Sequence, residues 1–231
     1  MFADRILYED GEALVIDKPA GLAVHPGPAT PRSLEDFLPD LRLGFHRAPT
    51  PVHRLDRDTS GCLLLARNPK AHKRFAAAFE AGQVAKTYLA VLDGIPSQTE
   101  GRVDFALSKT SSRAAGWRMV PDDKGQRAVT AWELIGQARD RALVRFTPET
   151  GRTHQLRIHA AAGIGIPILG DPIYAAGGGA PTAPSTFKML LHAASLRLER
   201  EGKTPIEAQA PLPPAFASAG FGPPEPGDAG L

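Results

Sequence analysis

His53-Arg54-Leu55-Asp56-Arg57-Asp58-Thr59-Ser60-Gly61-Cys62-Leu63-Leu64-Leu65-Ala66 joins a charged stretch to an apolar run. The run from Gly61 to Ala66 has the length and composition of a strand buried on both faces. Thr-Ser-Gly before it reads as a turn. The charged part sets two carboxylates among two arginines and a histidine. A carboxylate beside a guanidinium stays ionised, its pKa typically lowered by ~1–3 units. Such a group can serve as a nucleophile, a metal ligand or a structural anchor.

Downstream, Asn68 and Pro69 start a helix as cap and first helical residue, and Gly82 ends it. Ala71, Phe75, Ala78 and Phe79 form its apolar stripe. A strand over Thr87–Leu92 follows, in which alternation puts Lys86, Tyr88 and Ala90 on one face. Upstream, Ala13–Ile16 reads as a buried strand ended by the turn Asp17-Lys18-Pro19-Ala20-Gly21. Residues 26–51 read as Pro-rich loop around one short helix near Leu34–Leu38.

Residues 94–128 read as loops and short strands. Further strands are expected over Ala128–Leu134, Ala142–Thr147, Leu190–Leu198 and Ile206–Ala210. Thr153 is a candidate cap for a helix carrying His154 and Arg157. Ala175–Ser185 reads as a Gly/Ala/Pro-rich loop without the Lys-Ser/Thr of a phosphate-binding loop. Strands outnumber helices and follow one another. The expected class is therefore α+β, a mixed, largely antiparallel central sheet with flanking helices and loops. Residues 1–210 read as one domain and 211–231, rich in Pro and Gly, as a disordered tail.

The chain has 231 residues, 42% of them hydrophobic, enough for a substantial core. Its one cysteine, Cys62, excludes an intrachain disulfide and a multi-cysteine zinc site and suits a reducing cytoplasm. No signal sequence or bilayer-length apolar run is evident. The net charge is only +2, but it is unevenly spread. Residues 42–74 hold eight Lys/Arg against two acids, and residues 4–40 hold eight acids against three bases. The basic segment surrounds the motif and favours a polyanionic partner.

A second dense island is Thr150-Gly151-Arg152-Thr153-His154-Gln155-Leu156-Arg157-Ile158-His159. A metal hydrolase could draw on His53, Asp56, Asp58, His154 and His159. The five-residue spacing of the last two histidines is wrong for a helical ligand pair, and the arginines repel a cation. The alternative is a carboxylate nucleophile, Asp56 or Asp58, held by Arg152 or Arg157. Tyr88 offers a flat face for a base. Asp58 can instead accept from the Ser60 and Gly61 amides in the turn.

Four islands together resemble the RluA-type pseudouridine synthases: Val15–Gly27, His53–Gly61, Lys86-Thr87-Tyr88 and Gly151–His159. Ile168-Leu169-Gly170-Asp171-Pro172-Ile173-Tyr174 extends the match, which runs in order over about residues 5–210. The resemblance implies the pseudouridine synthase fold and an isomerase that converts uridines of structured ribosomal or transfer RNA to pseudouridine. It implies that Asp56 is the catalytic aspartate, that Tyr88 packs against the target ring, and that Arg157 pairs with Asp56. Arg54 matches a residue placed to enter the RNA stack when the uridine leaves it, and His53, Lys86, Arg152 and His154 are expected to bind the substrate with it. No metal, organic cofactor or obligate protein partner is implied, and the family precedent is a monomer in the cytoplasm. Relatives with an S4 domain carry it ahead of the catalytic domain. Here the first catalytic strand falls within the first fifteen residues, so that domain is not expected. An RNA-binding protein without catalysis and a metal-dependent phosphoesterase are the rival readings. Ser108–Arg118, basic and polar with one tryptophan, reads as an RNA-contacting loop.

Overall fold

The computed structural model describes residues 2–27, 30, 32–112, 116–179, 181 and 185–222. Its strands are β1 (Ile6–Glu9), β2 (Ala13–Lys18), β3 (Thr50–Pro51), β4 (Ser60–Ala66), β5 (Val84–Leu92), β6 (Glu100–Ser112), β7 (Gly116–Pro121), β8 (Gln126–Ala138), β9 (Arg141–Pro148), β10 (Leu191–Arg200) and β11 (Lys203–Gln209). The α-helices are α1 (Pro69–Glu80), α2 (Gln155–Ile158) and α3 (Pro214–Ser218). The class is α+β, as the strand-rich reading predicts. The chain divides into two compact units rather than the single domain expected from composition. The first runs up to Tyr88 and resumes over Ala193–Pro211; the second takes Leu89–His192 and resumes at Leu212.

In the first unit the strand order is β1-β2-β4-β10, with β3 on β4 and β11 on β10. Every residue of β4 is buried. Alternation explains how. Cys62, Leu64 and Ala66 face a cluster with Ala71 and Phe75 of α1. Leu63 and Leu65 face Leu34, Leu38 and Leu41 of a 3-10 helix over Leu34–Arg42. Each fully buried leucine contributes ~1.5–3 kcal/mol. Both helices are capped as their sequences dictate. The Asn68 side chain accepts from the Ala71 amide at 2.9 Å, and Ser33 and Asp36 form a reciprocal capping box.

In the second unit β9-β8-β6-β7 form an antiparallel array. Residues 94–128, expected as loops and short strands, instead contain two strands of thirteen and six residues and the start of a third. Val103, Phe105 and Leu107 share one face of β6, and the polar Ser108, Lys109 and Thr110 that follow continue the strand rather than form a turn. Ser108–Arg118 is accordingly a β6–β7 hairpin; its tip, residues 113–115, lies outside the described residues. Thr153 does not cap a helix. α2 starts at Gln155, with His154 before it, and continues as a π-helical turn over His159–Ile164.

Parts of the 175–185 segment and residues 223–231 lie outside the described residues. The expected disordered tail is folded in its first part. Leu212 packs beside the helix of Pro214–Ser218, and Phe216 (1% exposed) and Phe221 (8%) sit in a cluster with Val91, Leu169 and Leu190. Two phenylalanines outweigh the disorder signal of the prolines. Among the described residues no helix is long and apolar enough to cross a membrane.

Candidate active site

In the first unit, the loop between β3 and β4 presents Asp56, and it is tied down at both ends. β2 pairs with β4 so that Lys18 lies opposite Gly61. Lys18 is fully buried, and its ammonium donates to the carbonyls of Pro19 (2.8 Å), Leu22 (2.8 Å) and Arg57 (3.1 Å). The Gly21 amide donates to the same Arg57 carbonyl at 2.9 Å. The Lys-Pro-Ala-Gly turn thus clamps the residue after Asp56. Burial pulls the Lys18 pKa down to about 8, opposed by Asp58, Asp56 and Asp17. The turn formed by its neighbours is plain from Pro19 and Gly21, whereas this role of Lys18 is marked only by a lysine at the end of an apolar strand.

At the other end, the His53 Nε2 accepts from the Leu64 amide at 3.0 Å, and its ring stacks on Phe79 at 4.3 Å. Burial, and secondarily Lys86, lower its pKa to about 3, so the ring is neutral. His53 thus props the loop from within its own unit. Gly61 lies where no other residue fits: its φ is +104°, and an added Cβ would overlap the Ala193 carbonyl. Between these ties Asp56 is half-buried, with its carbonyl accepting from the Thr59 amide at 3.1 Å. Arg54 is exposed. The two oxygens of Asp58 take the Nε and Nη2 of Arg57, each at 3.1 Å.

Tyr88 is half-buried and packs against the cluster holding Leu55 and Leu63. Burial, then the nearby charge of Asp56, raise its pKa, so the phenol keeps its proton. Lys86 lies 5.6 Å over the Phe79 ring, on the α1 side. The long lysine stem reaches the aromatic ring.

The second island lies in the second unit. Its anchor is Gln155, 4% exposed. The side-chain oxygen accepts from Thr150 (2.8 Å) and from the Arg152 amide (2.9 Å), and the nitrogen donates to the Val129 carbonyl and Thr130 (both 2.9 Å). That network folds Gly151–His154 into a tight turn. His154 adopts φ +53°, a left-handed conformation uncommon for a side-chain-bearing residue. Its Nδ1 meets the Tyr174 hydroxyl at 3.0 Å. His159 Nδ1 meets Thr130 at 2.9 Å, and burial lowers its pKa to about 4. Each histidine is thus directed to a hydroxyl. Among the described residues no group of three or more His, Cys, Asp or Glu is gathered to hold a metal.

Arg157 is 5% exposed and forms a two-pronged pair with the fully buried Asp171: Nε to Oδ2 at 2.7 Å and Nη2 to Oδ1 at 2.8 Å. Asp171 Oδ1 also accepts from the amides of Ile173 and Tyr174. The ring of Tyr174 lies under the guanidinium at 5.3 Å. Asp171 therefore fixes the plane of Arg157. Sequence reading quoted Asp171 without assigning it this part, since a pair fourteen residues apart has no local signature. Arg152 is exposed and donates from Nε to the Arg127 carbonyl.

Residues 12–162 match the family model described as RNA pseudouridylate synthase. An uncharacterized RNA pseudouridine synthase of Zymomonas mobilis is 55% identical over 221 residues, covering 96% of this chain and 99% of that protein. A ribosomal large subunit pseudouridine synthase C of Rickettsia bellii is 35% identical over 223 residues, 92% of this chain and 70% of its own. Among solved structures, human RNA pseudouridylate synthase domain containing 4 is similar with a TM-score of 0.78 at 28% identity, covering 94% of this chain and 91% of that one.

Proposed function

This chain belongs to the RNA pseudouridylate synthase family, isomerases that act on uridine in RNA, and from that premise we propose that it converts specific uridines of structured ribosomal or transfer RNA with Asp56 as nucleophile. The observation that carries the reading is the clamped loop: a half-buried carboxylate held between the Lys18–Arg57 and His53–Leu64 ties, beside a tyrosine that keeps its proton. The match to a ribosomal large subunit enzyme favours ribosomal RNA over transfer RNA.

The reaction breaks the bond from the ribose C1′ to N1 and makes one from C1′ to C5. The C5 proton is lost and N1 gains one, so every atom is retained and no co-substrate or redox partner is required. Asp56 attacks the flipped uridine, and the base turns before it rejoins. Tyr88 supplies a flat face for the ring, and its retained proton makes it a hydrogen-bond donor. Arg157, oriented by Asp171, is the partner of Asp56 by its place in the motif. Extruding a base costs a few kcal/mol, and the exposed Arg54 offsets part of that by filling the gap in the stack. Arg152, His154 and Lys86 complete the substrate contacts. The enzyme acts in the cytoplasm as a monomer.

Asp56→Asn keeps the shape and removes the nucleophile. It should abolish pseudouridine formation on total RNA while RNA affinity stays within about threefold. Appreciable turnover by this variant would sink the assignment.

A further inference from the structure

We infer that Trp117 is a stacking platform for an unpaired base of the RNA substrate. The inference rests on the RNA-modifying reading above and deepens it. Trp117 is 41% exposed on β7, one of few large apolar side chains left open among the described residues. A single exposed aromatic is ordinary; its support is not. One face stacks on His154 at 4.8 Å and 30°. His154 is itself held to the Tyr174 hydroxyl, which also accepts from the Met119 amide on the same strand. Tyr174 lies under Arg157. A continuous set of rings thus runs from the surface of the hairpin to the arginine of the proposed chemistry, within one unit.

Two further observations select RNA as the occupant. The left-handed backbone of His154 is a conformation that persists only where its surroundings over-determine it, and such positions cluster at functional sites. The ring it holds there is the one beneath Trp117. Charge supplies the second. On the hairpin, β6 carries Lys109 and β7 carries Arg118 next to Trp117 in sequence. Lys109 Nζ lies over the Trp117 ring, 4.9 Å from its centroid, a flexible surface cation that an incoming base would displace toward its own phosphate. An aromatic ring with a lysine ammonium on it matches a nucleobase with its phosphate, the arrangement by which single strands are held without sequence readout.

Trp117 and Trp132 are the only tryptophans, and Trp132 is buried. Binding of the full-length protein to an oligouridylate of about ten nucleotides, followed by intrinsic fluorescence, therefore reports on Trp117. Wild type should bind with quenching, and Trp117→Phe should lose most of that quenching while keeping affinity within about threefold. Trp117→Ala should weaken single-strand binding about tenfold, and binding to the duplex of the same strand with oligoadenylate less than twofold. Quenching that persists in Trp117→Phe overturns the inference, as does wild-type affinity in Trp117→Ala or failure of wild type to bind the single strand. If Trp117→Ala melts well below wild type, the Trp117→Phe quenching decides. Pseudouridine formation by wild type on total RNA is scored separately: its absence removes the reading of the reaction, whereas the outcomes above concern the platform alone.

Discussion

Lys18 shows how one side chain can set the geometry of another residue it never needs to touch. Its ammonium satisfies three carbonyls, one of them next to Asp56. Lys18→Met keeps the stem and removes all three donors. Each buried acceptor left unpaired costs ~1–3 kcal/mol, so a loss of roughly 3 kcal/mol is expected, the Arg57 carbonyl keeping its Gly21 bond. A melt and a kcat measurement should both fall. A variant with an unchanged melt and full kcat would show that the clamp is dispensable. Asp56, Tyr88 and Arg157 are the residues that the contiguous motifs propose for the site. Lys18 and Asp171 are not among them, since each acts on a partner fixed by register or by a turn rather than by spacing.

Elements were legible where the side-chain period and the punctuation agreed. β4 and α1 are such cases: an unbroken apolar run, then Asn-Pro and a stripe at helical spacing. The β6–β7 hairpin and α3 were missed where polar or Pro-rich composition concealed sparse but regular apolar positions. α3 makes a quantitative claim. Ending the chain after Pro211 removes Phe216, Ala219 and Phe221 from their cluster with Leu169 and Leu190. Loss of a buried phenylalanine costs ~3–5 kcal/mol. The truncated protein should therefore melt at least 10 °C lower (roughly 2–4 °C per kcal/mol at this size), while ending it after Gly222 should change the melt little. Equal melts for the two truncations would contradict the packing of α3.

At the scale of the whole molecule, stability should fall on the acid side. His53 and His159 are held neutral in the folded state, with pKa values lowered to about 3 and about 4. The unfolded chain takes up protons at both near pH 6.5, so unfolding is favoured increasingly as pH drops below that. Each contributes a slope of at most ~1.4 kcal/mol per pH unit, ending near its folded pKa. Melting temperature measured from pH 7 to pH 4 should decline, and His53→Gln, which still offers an acceptor to Leu64, should flatten the decline. An equally steep profile in that variant would assign the acid sensitivity elsewhere.

The chain visits the first unit, leaves it at Leu89, returns at Ala193 and leaves again at Leu212. Contacts that close the first unit accordingly join distant residues, as in Tyr8 with Arg200 and Cys62 with the Ala208 carbonyl. During synthesis, which proceeds from the N-terminus, the loop carrying Asp56 emerges well before the strands β10 and β11 that complete its sheet. Until then β4 lacks its β10 neighbour. Closing the first unit therefore waits on pairings between residues far apart in the chain, the kind of contact that slows folding.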